Sequence, residues 1–225
     1  MRTLLIEKRE SLGGLCTNGY ITGIAGHVDG LCREWIERLA AEGNAILRPH
    51  LPAVEPEHAK VMLEQMLLSS GCRILYGVHV AECEVSDGHI DSVIAYSTAG
   101  KMIIKADVII DATGDAIVAN AAGVPCELGN AEFMGMSEST SMGFRLGYVD
   151  YQKYKAADTD FQDWLSTQPI EVHESYIVYK QREAIANGDL PAVLAPAALI
   201  YPVVGSKDQH CMDVCLDVTH LEYSS

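Results

Sequence analysis

Two short segments carry the residue types and spacing that could do chemistry. Thr3-Leu4-Leu5-Ile6-Glu7-Lys8-Arg9 is an apolar run closed by an acidic residue, followed by Leu12-Gly13-Gly14. Val108-Ile109-Ile110-Asp111-Ala112-Thr113-Gly114-Asp115 is a second apolar run, closed by a turn of small residues. A carboxylate at the end of a buried strand is how a dinucleotide-binding sheet meets a ribose hydroxyl. A turn of small residues lets a cofactor approach the backbone closely. The Gly-x-Gly-x-x-Gly that cradles phosphates belongs on the strand–turn–helix before Leu4. The expectation is therefore a flavin-type domain lacking its first βα unit.

Three further side chains are candidates for catalysis. Cys16 follows the glycine pair, but the next cysteine is Cys32, too far along for a local redox disulfide; a small buried side chain is the alternative. His27, in Gly26-His27-Val28-Asp29-Gly30, has the chemistry of an acid/base group, although a lone loop histidine also serves as a polar contact. Arg145 on an apolar run suits a carboxylate substrate, or a salt bridge at the edge of the core. Glu7 also fits a solvated strand end, Gly13-Gly14 a plain turn, and Asp115 a helix N-cap.

The elements that must position these residues are legible in part. Leu4 to Glu7 reads as a buried strand. Leu31, Trp35, Ile36, Leu39 and Ala40 have a helical period over Gly30 to Glu42, with Gly43 as the stop. Pro56 to Ser70 reads as a helix with Pro56 in its first turn. Arg73 to Leu75 and Val78 to Val85 read as strands, and Asp87-Gly88 as a hairpin turn. Ile90 to Tyr96 and Met102 to Ile110 complete a β-meander, and Ala116 to Ala122 a short helix closed by Gly123. Ser139 to Val149 and Met212 to Val218 read as strands, Phe161 to Leu165 and Tyr176 to Ala186 as helices. The proline-broken run Leu190 to Val204 reads as a buried loop or strand entry. Met134, Met136 and Met142 read as packing at a junction between domains.

Bulk properties exclude several classes. With 16 Lys and Arg against 31 Asp and Glu, the net charge of −15 speaks against nucleic acid and anionic membranes as partners. Seven scattered cysteines without C-x-x-C point to reduced thiols and a cytoplasmic setting, not to a zinc site or disulfide framework. Cys211 and Cys215 share a face but bring no His/Cys pair at ligand spacing, so no metal is expected. No apolar run is long enough to span a bilayer.

Taken in order, these pieces resemble the FAD-dependent oxidoreductases of the glutathione-reductase-like superfamily. The resemblance rests on Ile6-Glu7-Lys8-Arg9 with Leu12-Gly13-Gly14 and Thr17, and on the helix Glu57 to Ser70 before Gly71. It extends to Ile110 through Asp115 with Ala122-Gly123-Val124-Pro125, and to Phe144-Arg145-Leu146-Gly147 with Val149-Asp150. It covers Thr3 to about Gly147 and fades beyond. It implies an α/β fold: a Rossmann-like FAD-binding sheet with a β-meander crossover over residues 1–128, and part of an α+β substrate domain over 129–225. It implies that Glu7 binds the adenosine ribose with Lys8 near the adenine, and that Val80 lends backbone atoms to the adenine edge. Gly13 and Gly14 would bring N–H groups to the pyrophosphate or flavin. Cys16, Thr17 and Asn18 would run along the isoalloxazine, and Ala112, Thr113, Gly114 and Asp115 would close the cofactor floor.

The function expected is hydride or electron transfer between flavin and a small organic substrate. Two other readings stand beside it: a non-catalytic subunit that pairs with a partner chain or a second copy at an open sheet edge, and an NAD-dependent dehydrogenase. The β-meander and the missing glycine-rich loop count against the last.

Overall fold

The structure is a computed structural model, and it describes residues 2–127, 129, 141–168, 174–191 and 194–216; of 194–197 and 213–216 only the backbone is described. In chain order the elements are β1 (Leu4–Glu7), α1 (Gly14–Thr17), α2 (Gly30–Ala41), β2 (Ala45–Ile46), β3 (Ala53–Val54) and α3 (Pro56–Ser69). Then come β4 (Arg73–Tyr76), β5 (His79–Ser86), β6 (His89–Ser97), β7 (Gly100–Ile104) and α4 (Ile117–Ala121). The last are β8 (Ser141–Leu146), α5 (Tyr151–Leu165), α6 (Tyr176–Ala186), β9 (Leu194–Pro202) and β10 (His210–Leu216).

The chain forms two compact units. The first takes Met1–Leu12 and Glu64–Glu138, the second Gly13–Leu63 and Ser139–Ser225. In the first unit, β1 and β4 pair in parallel with Ile6 opposite Leu75. The pairing continues past the strand ends, where Val78 N–H donates to the Glu7 carbonyl and Gly77 N–H to that of Arg9. The meander β5-β6-β7 forms a separate antiparallel sheet. Its buried side chains are Ser92, Val93, Ile94 and Ala95 of β6, the central strand, where burial is greatest and apolar β-formers serve best. Helix α4 packs on β5, with buried Val118 facing inward and the Cys83 thiol donating to the Val118 carbonyl.

In the second unit, β8-β10-β9 is antiparallel and α6 packs on β9. Strand β9 carries prolines at 196 and 202, which an edge strand tolerates because one side needs no N–H donor. The register irregularity between Val214 and Leu216 falls opposite Pro196. The run expected as a buried loop or strand entry is thus an edge strand. Helix α2 begins where the Asp29 carboxylate accepts the Gly30 N–H at 2.8 Å, and buries Trp35, Ile36 and Leu39 beside β2 and β3.

Three expectations need correction. Met102 to Ile110 is not one strand: β7 stops at Ile104, and the segment from there to α4 pairs with nothing among the described residues. Val108 and Ile110 are 71% and 83% exposed. Their apolar character signals burial, but no neighbouring strand accepts their ladder. Helix α5 starts at Tyr151, ten residues before the expected Phe161, because Asp150 caps it by accepting the Lys153 N–H at 3.0 Å. Met142 is 65% exposed near the start of the edge strand β8 rather than packed; Met134 and Met136 lie outside the described residues.

Candidate functional site

The expected site residues divide between the two units. Glu7, Lys8, Val80 and Ala112 to Asp115 belong to the first, and Gly13, Gly14, Cys16, Thr17, Asn18, His27 and Arg145 to the second.

In the first unit, Glu7 ends β1 half-exposed, and its Oε1 accepts the Arg9 N–H at 2.8 Å. That bond leaves the second carboxylate oxygen available to a hydroxyl donor. Lys8 is exposed. Val80 lies two residues beyond Val78, whose N–H holds the Glu7 carbonyl, so the start of β5 borders the end of β1. The segment Ala112 to Asp115 is exposed, and its shape comes from Asp111. Asp111 Oδ1 accepts the Thr113 N–H at 2.9 Å and the Thr113 hydroxyl at 2.7 Å, while Oδ2 accepts the Ala119 N–H at 2.9 Å. Thr113 Oγ1 in turn accepts the Ile117 N–H at 2.9 Å. Thr113, rather than Asp115, therefore serves the first turn of α4; Ala116 occupies the cap position with φ 50° and no side-chain bond. Burial pushes the Asp111 carboxyl up, but the hydrogen bonds from Ala119, Thr113 and Val118 outweigh it and hold it below the usual range.

In the second unit, Gly13 and Gly14 have φ of +100° and +55°, a region glycine enters without strain. A Cβ on Gly13 would collide with the Thr17 side chain, whereas one on Gly14 would meet nothing within 4 Å. Thr17 is fully buried under this turn, and Asn18 Nδ2 donates to its hydroxyl at 3.5 Å. Cys16 is half-buried, and burial together with the neighbouring Cys32 raises its thiol to about 11. It is protonated at neutral pH and poorly suited to attack as a thiolate. The His27 side chain is 91% exposed, 3.9 Å from the Asp29 carboxylate.

Arg145 is held by other side chains. Its Nη2 lies 2.7 Å from Glu55 Oε1, and its guanidinium stacks over Tyr20 at 5.5 Å. Glu55 Oε2 also accepts the His58 N–H at 2.8 Å and lies 2.9 Å from His58 Nδ1. The sequence pointed to Arg145 but not to its partner, 90 residues earlier. Burial pushes the Glu55 carboxyl up, but His58 and Arg145 together bring it below its ordinary value.

Each unit offers one turn of accessible backbone. Gly14 and Gly114 are both exposed, and a Cβ at either would meet no atom within 4 Å, so backbone is open to a ligand at each turn. Among the described residues, no three His, Cys, Asp or Glu gather into a metal set, and no helix is long and apolar enough to cross a membrane.

Parallel pairing that presents Glu7, an antiparallel meander, and a small-residue turn leading into a helix define an α/β dinucleotide-binding fold of Rossmann-like type. The FAD-dependent oxidoreductase family model matches residues 1–218, and the chain belongs to that family, whose cofactor is FAD. No curated protein matches. Among solved structures, the Diels-Alderase PyrE3 of the biosynthetic pathway of pyrroindomycins is similar over 96% of this chain and 41% of its own, at 12% identity and a TM-score of 0.51. CabE, an aromatic hydroxylase from angucycline biosynthesis, is similar over 96% and 39%, at 14% identity and a TM-score of 0.49. THI4 of Thermovibrio ammonificans is similar over 57% and 56%, at 19% identity and a TM-score of 0.43. The chain thus spans less than two thirds of the length of each.

Proposed function

We propose that this chain is the FAD-binding part, with the start of the substrate part, of an enzyme that passes hydride or electrons between flavin and a small organic substrate. The observation that carries the reading is the turn Ala112 to Gly114: hydrogen bonds to Asp111 draw it into shape while its own residues stay exposed. A rigid, open backbone turn is what a cofactor floor requires. FAD, when bound, supplies the redox chemistry. The chain's own residues bind and orient it. Glu7 accepts from the ribose hydroxyls, with Lys8 beside the adenine and Val80 at its edge. Gly13 and Gly14 offer backbone N–H groups to the pyrophosphate or flavin, and Cys16, Thr17 and Asn18 line the ring side.

The division of labour we infer is a cofactor domain over residues 1–128 and a substrate domain from 129 onward, acting in the cytoplasm. His27, Cys16 and Arg145 remain the candidates for contact with substrate. The test is the visible spectrum of the chain after incubation with excess FAD and desalting. Wild type should retain a flavin band near ~450 nm, and Glu7→Leu should bind FAD about tenfold more weakly, the worth of one lost hydrogen bond to a charged acceptor. A wild-type chain that is folded but colourless, or a Glu7→Leu chain as tight as wild type, would defeat the assignment.

A second reading is favoured by one observation: a partner chain or a second copy pairs at the open sheet edge. Strand β1 has β4 as its one neighbour among the described residues, and Val108 and Ile110 leave apolar side chains in solvent. Sedimentation of the purified chain tests it. A monomer at all concentrations argues against self-pairing at this edge.

A further inference from the structure

His210 begins β10 and is 1% exposed, yet neither ring nitrogen makes a hydrogen bond of good geometry. Buried polar atoms without partners cost free energy and are rare in folded proteins, so each calls for a physical reason. The imidazole packs on the Tyr151 ring with centroids 4.5 Å apart. Burial lowers its pKa, against a weaker upward pull from the backbone and carboxylate of Asp208, so the ring is neutral at pH 7. A neutral imidazole has one N–H to donate and one nitrogen to accept.

His210 is also among the residues that line an open cavity of about 390 Å³. Around it stand Lys207, Ser206, Asp150, Tyr151 and Gln152. Lys207 is the single cation of this lining and is exposed; Asp150 is its single anion. One Asp150 oxygen caps α5 through the Lys153 N–H. The lining is therefore amphoteric, with one positive group, one negative group and a neutral ring that can both donate and accept. A simple anion would face Asp150 and a simple cation would face Lys207. Both charges are matched by a molecule that carries both.

We propose that this cavity binds a small zwitterion of the amino-acid type. Lys207 holds its carboxylate, Asp150 holds its ammonium group, and His210 gains a well-aligned partner once the half-buried Tyr151 ring turns aside. The site lies wholly within the second unit, and its proposal does not rest on the flavin reading.

The experiment is calorimetric titration of the full chain, with FAD present and absent, using L-alanine, glycine and L-glutamine. Propionate and ethylamine, which are alanine without one or the other charge, complete the set. The His210 ring nitrogens are followed by ¹⁵N-detected imidazole spectra. At least one amino acid should bind saturably and shift the His210 nitrogens, with propionate and ethylamine at least tenfold weaker. Lys207→Met on the surface and Asp150→Asn, which keeps the capping oxygen, should each weaken binding at least tenfold. His210→Phe keeps a ring against Tyr151 and should do the same, with circular dichroism confirming its fold. Propionate binding as well as alanine, binding unaffected by the three substitutions, or no binding and a merely water-filled cavity would each overturn the proposal.

Discussion

Replacing Asp111 by alanine removes at once its acceptor bonds from the Thr113 N–H, the Thr113 hydroxyl and the Ala119 N–H. Hydrogen bonds to a charged acceptor contribute about 1.5–3 kcal/mol each when buried. Asp111 is half-exposed, so water replaces part of each, and about 1 kcal/mol per bond is the better figure. The turn and α4 should then lose about 3 kcal/mol of local stability. Since ~1.4 kcal/mol is a factor of ten, the amides of Ala119 and Ile117 should exchange with solvent roughly 10- to 100-fold faster, depending on how far the segment opens. Amides of β6, such as Ile94, should not change. Hydrogen exchange read residue by residue by NMR provides the assay. The folded Asp111 carboxyl sits below its unfolded value, so its contribution is fully present above about pH 4 and is lost as pH falls through the folded value. The gap between wild type and variant should therefore close in acid. Unchanged exchange at Ala119, or equal acceleration throughout the unit, would refute the view that Asp111 shapes the turn.

Three other outcomes are expected. Arg145→Met leaves the mostly buried Glu55 carboxylate with His58 alone; the second unit should lose about 3 kcal/mol, and Arg145→Met with Glu55→Gln should recover part of it. Both tryptophans, Trp35 and Trp164, lie in that unit, so their fluorescence during urea unfolding reads the effect. Because Glu55 is also held below its ordinary value, the Arg145 contribution is present above about pH 4.3 and disappears as pH falls through the folded value. Gly13→Ala should cost more than Gly14→Ala: both pay about 1–2 kcal/mol for a left-handed backbone, but only Gly13 also collides with Thr17, and thermal melting of the two variants separates them. Iodoacetamide at pH 8 should label exposed Cys32 and Cys126 well before Cys16, whose thiol burial raises to about 11, as peptide mass mapping would show.

Elements whose signals are local could be read directly. The spacing of Trp35, Ile36 and Leu39 with Gly43 beyond them defined α2, and Asp87-Gly88 defined the β5–β6 hairpin, because capping and turn chemistry act over a few residues. Val108 to Ile110 misled for a non-local reason: an apolar run states a wish for burial, but pairing needs a neighbouring strand. The first half of α5 was hidden by its polar composition, although Asp150 followed by an N–H three residues on is a legible cap. In the site, Glu7 and the small-residue turn were visible, whereas the Asp111 bonds that hold the turn were not, although Asp111-x-Thr113 was their signal. Arg145 was visible and Glu55 was not, since an ion pair across 90 residues leaves no local mark. Nothing near His210 in sequence announces that neither of its nitrogens makes a well-formed hydrogen bond.

If this chain holds FAD through the residues assigned to it, cofactor binding must leave a footprint on their backbone. Hydrogen exchange of the full chain with and without saturating FAD reads that footprint. Slowed exchange at Glu7 to Arg9, Gly13 to Asn18 and Ala112 to Asp115, with β7 and α6 unchanged, is the expected result. Bound flavin that leaves all three segments unprotected would contradict the assignment.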